Sequence, residues 1–292
     1  MNVLVLGGQG MAGHMIAAYW RRMTSDLLTV TVRRAAASLA AEGSDGNPLP
    51  QGVAVRELDV RDGAAVERVM EEIRPDLVVN ATGILNADAD RAAYDAYVVN
   101  GLLPHWLAHL ADRCGARLFQ LSTDCVFAGD QGNYRVDDKP SGHSVYARSK
   151  IVGEVRRVRH LTIRTSIIGP DARSQGIGLM RWFLSQEGKV PGYRQVFWNG
   201  VTTLELAKAV RWYAQRPGID GIVHLAAPSR VSKYELLVMM QRAFDKSNVE
   251  IVPQDEPRLD RTLAPSDDET ARYETPGYEQ MLAELRDWME WR

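Results

Sequence analysis

Tyr146 and Lys150 stand four residues apart in a stretch of helical character, so their side chains share one helix face and can act on one object. A free tyrosine has a pKa of about 10 and is a poor proton donor or acceptor near neutrality. A lysine ammonium beside it favours the phenolate and draws that pKa toward the working range. Upstream, the apolar run from Leu118 ends in Ser122, Thr123 and Asp124, the signature of a buried strand stopping at polar residues. Hydroxyls delivered by that strand to the Tyr–Lys pair would complete a kit for moving a proton to or from a substrate oxygen. Taken alone, Tyr-x-x-x-Lys is a weak pattern, because most such pairs are ordinary exposed helix residues.

The elements that must position this kit begin at the N-terminus. Residues 2–6, NVLVL, read as a strand, followed at once by Gly7, Gly10 and Gly13, with Met11 among them as a further cofactor contact, and then by a helical pattern, MIAAYWRRM, over residues 15–23. A strand, a glycine turn and a helix N-terminus present free backbone N–H groups and a positive dipole end to a phosphate. The spacing is G-x-x-G-x-x-G, and directly after an N-terminal strand it points to a dinucleotide site. The second strand, residues 27–32, ends at Arg33 and Arg34. An acid at this place would hold ribose hydroxyls; two arginines suit a 2′-phosphate, hence NADP(H), with NAD(H) as the other nicotinamide cofactor. A third strand leads to Asp59 and Val60, where the aspartate is placed to accept from an adenine amino group or is simply a surface carboxylate. A fourth strand runs into Asn80, Ala81, Thr82 and Gly83, small residues that let the backbone pass close beneath a cofactor.

Strands alternating with helices give parallel βαβ units, so the expected fold is α/β, a doubly wound parallel sheet with ligands at the carboxyl edge of its strands. The alternation fades beyond residue 170. We expect a dinucleotide-binding domain from residues 1–168 plus about 199–228. A smaller, irregular C-terminal substrate-binding cap is expected from about 169–198 plus 229–292. Residues 92–113 read as one long helix broken near Asn100 and Gly101, since Pro104 has no N–H to offer the Asn100 carbonyl. A freed carbonyl there would hold a water that Lys150 also touches, or the proline is a harmless kink. His105 and His109 lack an HExxH pattern and read as packing residues.

The chain has 292 residues, 45% hydrophobic and 25% charged, with a formal net charge of −2. No basic field points to nucleic acid or an anionic membrane. No stretch approaches the roughly 18 apolar residues that span a bilayer. The start has no basic n-region, and the two cysteines, Cys114 and Cys125, are too few for a disulfide framework, so the expected location is cytoplasmic.

Assembled, these residues resemble the extended short-chain dehydrogenase/reductases, and within them the dTDP-4-dehydrorhamnose reductase branch. The marks are the glycines at 7, 10 and 13, NATG at 80–83, Asn100, STDCVF at 122–127, Tyr146 and Lys150 with Glu154, and RTSIIGP at 164–170. The resemblance implies a Rossmann sheet and NADPH-dependent reduction of the C4 ketone of a nucleotide-linked 4-keto-6-deoxy sugar. Tyr146 would donate the proton, Lys150 would lower its pKa and hold the nicotinamide ribose, and Asn100 would support the relay. Thr123, with Ser122, would hydrogen-bond the carbonyl oxygen.

The resemblance further implies a homodimer through the helices around Asn100 and Tyr146. Departures are informative: Cys125 stands where the branch has Tyr, and Asp124 is not followed by the Glu that sugar dehydratases use. Some members hold magnesium, but no metal ligands are assigned to this sequence. In the cap, Trp182 and Trp198 are candidates to stack on a base, and Arg258 and Arg261 to clamp a diphosphate; core packing and pairing with neighbouring acids are the plainer alternatives. Asp124 and His143 complete the candidate substrate contacts. Two other readings are an NADP-binding regulatory subunit with an idle Tyr–Lys pair and a 4-epimerase that retains NAD.

Overall fold

The structure is a computed structural model that describes residues 1–33, 49–171, 178–266 and 268–290. Arg34 lies outside the described residues. The strands are β1 (Asn2–Leu6), β2 (Leu27–Val32), β3 (Ala54–Glu57), β4 (Leu77–Asn80), β5 (Arg117–Thr123), β6 (Leu161–Thr165), β7 (Ile167–Ile168), β8 (Gly188–Tyr193), β9 (Val196–Trp198), β10 (Val201–Thr202), β11 (Gly221–His224), β12 (Val231–Ser232), β13 (Val249–Gln254) and β14 (Leu259–Asp260). Seven of them form one parallel sheet in the order β11-β6-β5-β4-β1-β2-β3. The chain winds outward from β1 to β3, then crosses back to start again at β4. The crevice therefore opens between β1 and β4, where the winding direction reverses.

The sheet is apolar on both faces, as a doubly covered parallel sheet must be. Val3 and Val5 of β1 join the core under α1 (Met11–Met23), while Leu4 and Leu6 point into the opposite core with Val66, Met70 and Leu107. That opposite layer is α2 (Gly63–Ile73), which supplies Val66 and Met70, together with the helix carrying Leu107. The period-2 alternation of strand side chains thus feeds two helix layers.

The long segment before β5 is not one kinked α-helix. Ala93–Ala96 is α-helical, Tyr97–Leu102 is a π-helical turn, and Leu103–Cys114 resumes as α-helix with Pro104 in its first turn. Proline is tolerated there because first-turn N–H groups have no intrahelical partner. The widened turn carries Asn100, and π-turns recur at functional positions.

Beyond the main sheet lie smaller ones: β8 with β13, and β12-β9-β14. Strands recur here although the regular alternation of the sequence fades beyond residue 170. Pro191 and Pro253 sit in a two-stranded pair with Val252 opposite Pro191. Both members are edges, where a missing N–H is tolerated.

Candidate active site

Gly7 leaves β1 at φ +83°, a left-handed conformation that suits glycine, and its carbonyl accepts from the N–H of Gly10 at 2.9 Å. A Cβ on Gly13 would fall 2.3 Å from that same carbonyl oxygen, so α1 docks this closely only with glycine there. The first turn of α1 holds no acidic residue, leaving its N–H groups and dipole for an anion. Leu6 pairs with Asn80, which sets Ala81 beside Gly7 across the crevice.

Two cavities run along this edge. One, of about 260 Å³, is lined by Gly7, Gly10, Arg33, Asp59, Val60 and Arg61 among others; the second, about 310 Å³, by Met11, Thr123, Asp124, Tyr146 and Lys150 among others. Gly10, Ala81, Thr82 and Gly83 line both, so the cavities join into one groove at the glycine turn. At the first end Arg61 donates to both carboxylate oxygens of Asp59 and, at 3.0 Å, to Asp95. The Arg61 guanidinium holds the Asp59 carboxyl below the usual carboxylate range. The expected adenine acceptor is therefore already an ion-pair partner, a contact that the residue types did not reveal.

At the second end, the helix Val145–Val152 opens at Ser144, whose hydroxyl accepts from Ala147 N. Lys150 Nζ donates to the carbonyl of Leu121 at 2.6 Å, and burial brings its pKa down to about 8 against the opposing effect of Glu154. Burial pushes the Tyr146 phenol up, with a Thr123 hydrogen bond acting the other way. The Lys150 ammonium itself is fixed on the β5 carbonyl. Tyr146 is held protonated, the state an acid requires.

The three candidate side chains before and after Thr123 divide their work. Thr123 Oγ1 donates to Asp124 Oδ1 at 3.0 Å and accepts from Cys125 N at 3.1 Å. Ser122 also lines the cavity, but its hydroxyl donates to the buried Glu154 at 3.0 Å. Glu154 is gripped by the fully buried Arg164 at 2.6 and 2.8 Å. Asn100 binds Ile84 both ways, accepting from its N–H at 2.9 Å and donating to its carbonyl at 2.8 Å, and also donates to Ser149 Oγ at 3.0 Å. Its own peptide carbonyl abuts Gly153, where a Cβ would lie 1.8 Å away.

The model for the RmlD substrate binding domain matches residues 1–266. The chain belongs to that family. A dTDP-4-dehydrorhamnose reductase of Mycobacterium tuberculosis is 31% identical over 214 residues, 68% of this chain and 67% of that protein. A probable dTDP-4,6-dihydroxy-2-methyloxan-3-one 4-ketoreductase of Streptomyces antibioticus is 30% identical over 252 residues, 79% of this chain and 80% of that protein. The crystal structure of a Bacillus anthracis dTDP-4-dehydrorhamnose reductase in complex with NADP superposes with a TM-score of 0.76 at 18% identity, covering 99% of each chain.

In this member of the RmlD substrate binding domain family, the nominated cap residues mostly lie outside the groove. Trp198 is buried against Tyr278, ring centroids 5.7 Å apart, and is core. Trp182 is 37% exposed and His143 is exposed, and neither lines the cavity. Arg258 pairs with Glu256 at the surface, 3.3 Å. Arg261 donates to the Phe127 carbonyl at 3.0 Å and lies 3.6 Å from Cys125 Sγ, so it fastens the end of β14 to the loop after Thr123. His105 contacts the Val152 carbonyl and His109 stacks on Trp106, both packing roles. Sequence reasoning missed Arg61, Asp95 and Lys233; the last, half-buried at the start of a helix, acts on Asp124 and Cys125.

Proposed function

We propose that this chain reduces the C4 ketone of a nucleoside-diphosphate 4-keto-6-deoxy sugar, with NADP(H) as cofactor and NAD(H) as the weaker alternative. The observation that carries it is the single groove joining the glycine turn to Thr123, Tyr146 and Lys150. The residues fit a dinucleotide: a Cβ at Gly13 would close the turn, and the N-terminus of α1 faces the groove where a pyrophosphate must pass. Arg33 lines the end where a 2′-phosphate would lie. When bound, the cofactor supplies the hydride.

Tyr146, protonated at neutrality, gives its proton to the substrate oxygen as negative charge gathers there. Thr123 turns its hydroxyl from Asp124 to that same oxygen and stabilises the charge. The Lys150 ammonium, fixed on Leu121, stands by to favour the phenolate once the proton has left. Asn100 keeps the Ile84 backbone and Ser149 in register behind them. The cap expected from about 169–198 plus 229–292 would cover the sugar.

NADPH oxidation on adding a dTDP-4-keto-6-deoxy sugar, abolished in Tyr146→Phe, tests the reading. Tight NADP binding without turnover on any 4-keto sugar nucleotide would replace it with a regulatory role. Retained NAD without net consumption would mean an epimerase.

We place the protein in the cytoplasm, in keeping with two free cysteines, and as a homodimer. Tyr94, Leu102 and Val152, exposed by 81%, 61% and 47%, supply an apolar face on the helices around Asn100 and Tyr146. Size-exclusion chromatography giving a monomer at micromolar concentration would refute the dimer.

A further inference from the structure

Three arginines of the small β12-β9-β14 sheet have their charged heads engaged. Arg230 pairs with Asp260 at 2.9 Å and covers the Phe197 ring, Arg258 pairs with Glu256, and Arg261 is bonded to the Phe127 carbonyl. Lys233 differs. It follows β12 directly, at the first position of the helix Lys233–Ala243, whose cap is closed by Ser232 and Glu235. Its ammonium lies 4.8 Å from the centroid of the Trp198 ring and, among the described residues, has no hydrogen bond and no ion pair.

The tertiary structure brings that ammonium to the catalytic strand end. β12 pairs antiparallel with β9 and β14 pairs with β9 on its other side, while Asp260 N and Arg261 Nε bond the carbonyls of Gly129 and Phe127. The sheet is thereby stitched to the loop after Thr123. Asp124, which lines the substrate end of the groove, feels the positive charge of both Arg261 and Lys233. Burial brings Lys233 down to about 8, with Asp124 and Cys125 opposing that shift. A partly desolvated cation without a hydrogen-bonding anion is unfavourable unless a ligand supplies one.

We propose that Lys233 is a substrate-binding residue that holds the pyrophosphate of the nucleoside-diphosphate sugar, the part assigned from sequence to Arg258 and Arg261. The assignment rests on the sugar-nucleotide reading of this site and names the cation that reading lacks. The Trp198 ring under the ammonium holds it in place and reduces the freedom lost on binding.

The test is equilibrium binding of thymidine diphosphate and of a thymidine-diphosphate sugar to wild type, Lys233→Met and Lys233→Arg, with NADPH binding and the melting temperature measured alongside. Methionine keeps an unbranched aliphatic side chain of similar length and removes the charge. Loss of one charged hydrogen bond should weaken both diphosphate ligands by roughly 10- to 100-fold. Arginine should restore part of the affinity, and NADPH should bind all three proteins alike. Unchanged affinity for thymidine diphosphate in Lys233→Met overturns the assignment. A parallel fall in NADPH affinity and melting temperature overturns it too, in favour of a structural lysine. If wild type binds NADPH but no nucleoside-diphosphate sugar in a panel of bases, the substrate class itself has failed; if wild type binds one and Lys233→Met binds it equally, only the lysine has.

Discussion

Lys150 Nζ donates to the Leu121 carbonyl at 2.6 Å, which ties the helix of the Tyr–Lys pair to the strand that delivers Thr123. The bond holds the ammonium in a buried place where the charged form is disfavoured, hence a pKa near 8. Below that value Lys150 carries its charge; above it the charge is lost. Tyr146 is shifted upward and stays protonated through the same window. The rate of ketone reduction should hold through neutrality and fall above about pH 8. A wild-type profile that stays flat well above this value would count against the lysine.

Tyr146→Phe removes the proton donor and leaves the ring in place. General acid catalysis contributes roughly 10²- to 10⁴-fold, so kcat should drop by that factor while NADPH affinity, followed by fluorescence, changes little. Retention of most activity would require another acid.

Glu154 and Arg164 form an ion pair buried beneath Ser122 and joined to His224 at 3.2 Å. Glu154→Leu alone or Arg164→Met alone leaves a buried charge unpaired and should cost about 3–5 kcal/mol in urea unfolding. The double variant should recover much of that loss. Additive losses would show that the pair's hydrogen bonds, and not its charge balance, dominate.

Gly153→Ala places a methyl 1.8 Å from the Asn100 carbonyl oxygen, where two backbones meet. Overpacking of this kind costs about 1–3 kcal/mol. The shift should reach Ile84 through Asn100, lowering kcat as well as the melting temperature. A fully active, equally stable variant would mean the helices separate freely.

Arg33→Ala tests the cofactor. Loss of one charged contact to a 2′-phosphate corresponds to roughly a tenfold or greater rise in KM for NADPH, with NADH little affected. Equal effects on both would move the phosphate contact away from Arg33.

Much of the site was legible because its parts are local. Gly7, Gly10 and Gly13 announce a phosphate turn whatever folds around them, since the turn's geometry is made by those residues and their own strand. Tyr146 and Lys150 share a face by helical periodicity, and the apolar runs of β1, β2 and β4 are buried strands on their own pattern. The cap was much less legible. Its strands pair across some sixty residues, as Gly188 with Val249, and two carry prolines that speak against strand when read locally.

Composition and spacing determined the α/β class, the glycine turn after β1 and the shared helix face of Tyr146 and Lys150, because each depends on contacts within a few residues. Only the tertiary structure decided that Ser122 turns inward to Glu154, that Arg61 already occupies Asp59, that Trp198 is core and that Lys233 lies over Trp198 within electrostatic reach of Asp124. Ser122, Trp198 and Lys233 meet side chains far along the chain, and even the neighbouring Asp59 and Arg61 read as a pair only once the backbone conformation has turned one toward the other.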